Sequence, residues 1–119
     1  MAQDLRKRTK DFALRIIRLY SSLPTSSTVA QVIGKQVLRS GTSVGAHYRE
    51  AYSSRSDAEF VSKIEVGLQE IEETVYWFEL LIESELISEK RLKNLLEEAS
   101  ELTAIFVTSV KKVKQRRKG

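Results

Sequence analysis

Twenty lysines and arginines, sixteen carboxylates, one histidine and no cysteine are the side chains of this 119-residue chain that could do chemistry. Without cysteine there is no disulfide scaffold, no zinc–thiolate site and no thiol nucleophile. His47 stands alone, so a two-histidine metal site within one chain is excluded. The acidic residues Glu65, Glu72, Glu73, Glu79 and Glu83 lack the Glu-x-x-His partners of a carboxylate metal bundle and read as a solvated face. Gly41-x-x-x-Gly45 follows no strand and lacks the Lys-Ser/Thr of a phosphate loop. No nucleophile, base and orienting group fall into a set. The sequence predicts a chain that is not an enzyme and holds no cofactor and no metal.

What remains is charge, and it is unevenly distributed. Residues 1–55 hold ten basic side chains against three acidic ones, a balance of +7. Residues 56–101 hold four against thirteen, a balance of −9, and residues 102–119 hold six and no acid. The overall +4 conceals this asymmetry, which points to a polar partner on the basic part.

The elements that must position these charges are helical. Five glycines and one proline leave little material for the turns of a sandwich or barrel. The spacing predicts four helices, over 4–20, 26–53, 56–85 and 88–116. Asp4 caps the first, whose face carries Leu5, Phe12, Ile16, Leu19 and Tyr20, and Pro24 ends the turn that follows. Thr25 or Ser26 caps the second, with a stripe of Val29, Val32, Ile33, Val37, Gly41, Val44, Gly45, Tyr48 and Tyr52. Ser56 and Glu59 form a capping box for the third, which carries Phe60, Ile64, Gly67, Leu68, Ile71, Val75, Phe78 and Ile82. In the fourth, capped by Ser88, Leu92, Ala99, Phe106 and Val113 recur every seven residues, the seam of a bundle. Short connections and no strand signal give an all-α, up-down-up-down antiparallel four-helix bundle forming one domain over 1–119.

That topology gathers the start of the first helix, the second turn and the end of the fourth helix at one pole. Arg6, Lys7, Arg8, Lys10, Arg49, Arg55, Lys111, Lys112, Lys114, Arg116, Arg117 and Lys118 meet there. A helix C-terminus favours two or three cations through its dipole, fewer than this cluster supplies. Clustered cations neutralise phosphates and release counterions, the main source of affinity for nucleic acid. No base-reading motif accompanies them, so contact with the backbone of RNA or DNA, independent of sequence, is expected.

The small residues of the second helix call for a close neighbour. Each mid-helix glycine costs about 1 kcal/mol relative to alanine. Packing inside the bundle and packing between subunits explain Gly41 and Gly45 equally. Arg39, Ser40, Gly41, Ser43, Gly45, Tyr48 and Glu50 form the candidate oligomer interface, with Arg39 and Glu50 as ion-pair partners between helices or subunits. Tyr76 and Trp77 suit either base stacking or a buried interface. The longest uncharged stretch, residues 19–34, is rich in serine and threonine, and the N-terminal residues lack an apolar signal core. A soluble, cytoplasmic location away from membranes is therefore expected.

The run from Arg39 to Ala51, RSGTSVGAHYREA, resembles the signature of the four-helix-bundle proteins encoded in bacterial 23S rRNA intervening sequences. The same family includes the accessory variability protein of diversity-generating retroelements. Further matching positions are Ser21-Ser22-Leu23-Pro24, Ser26, Arg55-Ser56, Phe60, Lys63, Ile64, Glu70, Glu73-Thr74 and Tyr76-Trp77. The sequence departs from the family pattern at His47, Gly67 and Gln69, where asparagine, alanine and lysine are usual. The resemblance implies a bundle assembled as a ring-like homopentamer, with nucleic-acid binding in some members and a reverse transcriptase as partner of the retroelement members. The combined expectation is a non-enzymatic homo-oligomer that binds RNA or DNA through its basic pole. A scaffold docking a partner such as a reverse transcriptase is the alternative.

Overall fold

The computed structural model describes residues 4–118, and all four helices are present. They are α1 (Leu5–Ser21), α2 (Thr28–Tyr52), α3 (Asp57–Glu83) and α4 (Glu89–Lys118). Each start is fixed by a short polar side chain bonded to an N–H of the first turn. Asp4 accepts from Lys7 N at 3.1 Å, Ser56 from Glu59 N at 3.1 Å and Ser88 from Arg91 N at 3.3 Å. The cap of α2 is Ser27, which accepts from Ala30 N, one to two residues later than the sequence suggested. The return bond of the Ser56–Glu59 box comes from Arg55 N. α3 closes with Leu86 N and Glu85 N bonded back to Leu81 O and Ile82 O. Glu85 takes the left-handed conformation (φ 64°) that this ending requires and that glycine usually supplies.

The helices pack in a ring, α1 on α2, α2 on α3, α3 on α4 and α4 on α1, in a rod of 54 × 22 × 21 Å. Among the described residues this is the antiparallel four-helix bundle expected, with no strand. Phe12, Ile16, Val37, Val44, Ile64, Ile71, Phe78, Leu81, Leu92, Leu102 and Phe106 fill its centre. At about 25 cal/mol per Å² of apolar area removed from water, such large side chains carry most of the folding energy. The α4 seam is buried as its spacing predicted. The α2 stripe is corrected at both ends: Val29, Val32 and Tyr52 are exposed, and Ala30, Gly34 and Ala51 take the inner positions.

Candidate nucleic-acid interface

The predicted pole exists, but its cations do not form one patch. α1 begins beside the middle of α4, because Arg8 reaches Glu98 and Glu101. The last turns of α4 stand instead against the start of α3, where Arg116 meets Asp57 at 3.3 Å and Lys114 meets Glu65 at 3.6 Å. Two grooves result.

The first groove lies between α1 and α2 and has a volume of about 360 Å³. Thr9, Ala13, Thr42, Gly45 and Ala46 line it together with Arg6, Lys10 and Arg49. Small residues make it. A Cβ on Gly45 would stand 3.3 Å from Thr9 Oγ1, so the two helices meet closely at this level. No carboxylate lines the groove, and none of its three cations has an ion pair among the described residues. The second groove, of about 440 Å³, lies over the α2–α3 turn. Tyr52, Ser54, Arg55, Ser56, Phe60, Val113 and Arg116 line it, with Asp57 as its acid. Arg6 joins the two, its guanidinium carbon 5.3 Å from the centre of the Tyr52 ring.

The other predicted cations divide by partner. Arg8 is a correction: only 24% of its side chain is exposed, and its guanidinium donates to Glu98 at 2.6 Å and 3.1 Å. That bond holds it protonated more firmly than usual and makes it a clasp between α1 and α4. Lys7 is paired with Asp11 at 2.8 Å on the surface. Lys111, Lys112 and Arg117 are exposed and without an ion pair among the described residues, and the Lys118 side chain lies outside them. The sequence reading missed Tyr52. Its place on the α2 stripe suggested core, but at this end of α2 the neighbouring Ala51 takes the inward position and Tyr52 faces outward.

Several candidate interface residues are inside the protomer. Ser40 and Gly41 are buried, Ser40 against Thr74 and Gly41 against Ile16. Tyr48 stacks on Phe106 with ring centres 5.9 Å apart, and burial pushes its phenol pKa up. Ser40 and Gly41 are corrected to intrachain packing, and Tyr48 is half-buried with one face on Phe106. Arg39 forms its ion pairs between helices of one chain, with Glu70 at 3.2 Å and with Glu73. Glu50 meets Lys63 at 3.6 Å and His47 at 3.3 Å. Ser43 is half-buried and donates to Arg39 O. No described helix is long and apolar enough to cross a membrane.

Comparison with known proteins bears on the whole arrangement. A crystal structure of a protein of unknown function from the S23 ribosomal protein family of Bacteroides thetaiotaomicron VPI-5482 superposes with a TM-score of 0.84. Its sequence is 36% identical, and the match covers 90% of this chain and 98% of that one. No match is found among curated proteins. The family model described as 23S rRNA-intervening sequence protein matches residues 2–108, which takes in the α1–α2 groove and ends before the Lys111–Lys118 run. The chain therefore belongs to the 23S rRNA-intervening sequence protein family.

Proposed function

We propose that this protein is a non-enzymatic homo-oligomer that binds RNA or DNA by phosphate contacts at its basic end. The observation that carries this reading is the α1–α2 groove. Arg6, Lys10 and Arg49 line one concave surface without a carboxylate, while other surface cations such as Lys7 and Lys114 are neutralised by neighbouring acids. Unpaired cations are the ones free to neutralise a phosphate and displace the counterions condensed on the nucleic acid. Tyr52, 63% exposed, adds a ring on which an unpaired base stacks, flanked by Arg6 and, across the second groove, Arg55. Single strands are therefore the favoured substrate. Lys111, Lys112, Lys114, Arg116, Arg117 and Lys118 add charge along the end of α4.

Assembly is supported by apolar side chains left in solvent, Leu14 and Ile17 on α1, Val29 and Val32 on α2 and Tyr76 on α3. A ring-like pentamer is the state the family resemblance implies, and it would multiply the patch of each protomer. Light scattering checks it: a mass near that of the 13.6 kDa chain alone at micromolar concentration would remove assembly from the proposal.

The binding test is a salt series with fluorescent single-stranded and duplex RNA and DNA. Log affinity should fall linearly with log salt, by roughly 0.7 to 0.9 per phosphate contact. Replacing Arg6, Lys10 and Arg49 with Gln should flatten the slope and weaken all sequences alike. Tyr52→Ala should cost single strands about 1–3 kcal/mol and duplexes little. An unchanged slope in a folded triple variant would refute phosphate contact in the groove. Absence of binding to all four probes would leave the scaffold reading, with the basic end docked on an acidic partner protein.

A further inference from the structure

A second set of arginines without an ion pair among the described residues lies away from the basic end, between α1 and α4. Arg15 and Arg18 of α1 and Arg91 and Asn94 of α4 line a groove of about 310 Å³ with Leu19 and Leu95. Both leucines are 7% exposed and supply an apolar wall. Arg15 is itself half-buried. Neither it nor Arg18 has a hydrogen bond or ion pair among the described residues. Arg91 is held at the rim by donating to Ser22 Oγ. The nearby acids are bonded elsewhere, Glu98 and Glu101 to Arg8 and Asp11 to Lys7, and Arg18 feels Asp11 only through space, without a bond to it.

A guanidinium that gives up part of its hydration is ordinarily offset by an anion. Here Arg15 is the half-buried one, the exposed Arg18 and Arg91 face the same groove, and no acid lines it. We propose that this groove binds a nucleoside 5′-phosphate, either a free nucleotide or the phosphorylated end of a strand. Guanidinium forks match phosphate oxygens two at a time. A phosphate monoester carries close to two negative charges at neutral pH, which suits three guanidiniums better than the single charge of an internal phosphodiester. Leu19 and Leu95 offer apolar surface to the sugar and base, and Asn94 offers both a donor and an acceptor. The volume lies at the low end of the roughly 300–1,000 Å³ of small-molecule sites, room for one nucleotide and not for a duplex. No residue of the groove belongs to the basic end, so this site stands or falls independently of the proposed nucleic-acid contact.

Titration calorimetry of the full chain with adenosine 5′-monophosphate and with adenosine tests it. The monophosphate should bind and adenosine should not. R15Q and R18Q should each weaken the monophosphate about 10-fold or more, the loss of a hydrogen bond to a charged group. Arg18 is exposed, so R18Q tests the proposal even where R15Q fails to fold. The combined variant R6Q/K10Q/R49Q should leave monophosphate affinity unchanged. A single-stranded oligonucleotide with a 5′-phosphate, compared with its 5′-hydroxyl counterpart, separates the two sources. A preference lost in R18Q assigns the strand end, whereas monophosphate binding without that preference assigns the free nucleotide; both support the groove. Equal behaviour of adenosine and its monophosphate, with no 5′-phosphate preference, would overturn the proposal. So would an equal loss in the groove variants and in R6Q/K10Q/R49Q, since diffuse charge would then account for binding.

Discussion

The indole Nε1 of Trp77 donates to the carboxylate of Glu73 at 3.4 Å, one turn back along α3. The same carboxylate accepts from Arg39 of α2, whose other terminal nitrogen reaches Glu70. Hydrogen bonding from Arg39 holds the Glu73 carboxyl below its ordinary value of 4.5. A carboxylate with a lower pKa folded than unfolded contributes its full stabilisation above the ordinary value and loses it as pH falls through the folded one. Stability from this pair should therefore decline only below about pH 4.5. Trp77 is the sole tryptophan, so its emission should shift over the same range. In Glu73→Gln the shift should vanish while the bundle still folds. An emission step of unchanged midpoint in that variant would separate the indole from Glu73.

The other contact between α2 and α3 at this level is buried. Thr74 donates to Ser40 Oγ at 2.8 Å, and Ser40 donates to Gln36 O at 2.9 Å. Thr74 Oγ1 also lies 2.8 Å from Glu70 O, so its single proton has a second acceptor on its own helix when Ser40 is removed. A double-mutant cycle with Ser40→Ala and Thr74→Val should give a coupling of about 0.5–1.5 kcal/mol. The double variant should cost less than the sum of the singles, because it leaves no buried hydroxyl short of a partner. Additivity within about 0.3 kcal/mol would mean the two hydroxyls act only through their own helices.

Gly41 and Gly45 looked alike in the sequence and differ in their surroundings. A Cβ on Gly41 would come 2.8 Å from Ile16 Cγ1, within a fully buried, β-branched side chain that has nowhere to move. A Cβ on Gly45 would meet Thr9 atoms at 3.3–3.4 Å, a tight contact that a shift of Thr9 by a few tenths of an ångström relieves. Both substitutions to alanine gain about 1 kcal/mol of helix propensity. Overpacking costs about 1–3 kcal/mol, so Gly41→Ala should be destabilising on balance and Gly45→Ala should stay within about 1 kcal/mol of the parent. Gly45→Leu, by contrast, should push α1 away from α2 and unfold or disassemble the protein. Chemical denaturation ranks all three, and a Gly41→Ala more stable than Gly45→Ala would contradict this packing.

Much of the bundle was legible because its signals are local. The Ser56 cap and the α4 heptads need only neighbours in sequence, and Asp4 sits directly before its helix. Which cations stay free was not legible, because it depends on partners far along the chain. Arg8 lies ninety residues from Glu98, and no spacing within α1 marks it as different from Arg6 or Lys10. Ser40 is another such case: its small side chain fits a subunit contact or a helix contact equally, and only the register of α2 on α3 brings Thr74 opposite it. Tyr52 continued an apolar stripe by spacing, but at the end of α2 the inward position falls to Ala51 instead.

The difference between Arg8 and its neighbours yields the sharpest prediction about the basic end. Arg8 is clasped by Glu98, itself only 17% exposed, so Arg8→Gln leaves a half-buried carboxylate without its cation. That should lower stability by about 1–3 kcal/mol, the usual cost of leaving such a group unsatisfied. It should leave the salt dependence of nucleic-acid binding unchanged, because a guanidinium already paired with a carboxylate neutralises no phosphate and displaces no counterion from the nucleic acid. Arg49→Gln should do the reverse. Arg49 is exposed and without an ion pair among the described residues, so its loss should spare stability while reducing the salt slope by roughly 0.7 to 0.9. Thermal unfolding and a salt titration of both variants check the exchange. If Arg8→Gln flattened the slope as much as Arg49→Gln, binding would follow net charge alone, and the α1–α2 groove would have no special part in it.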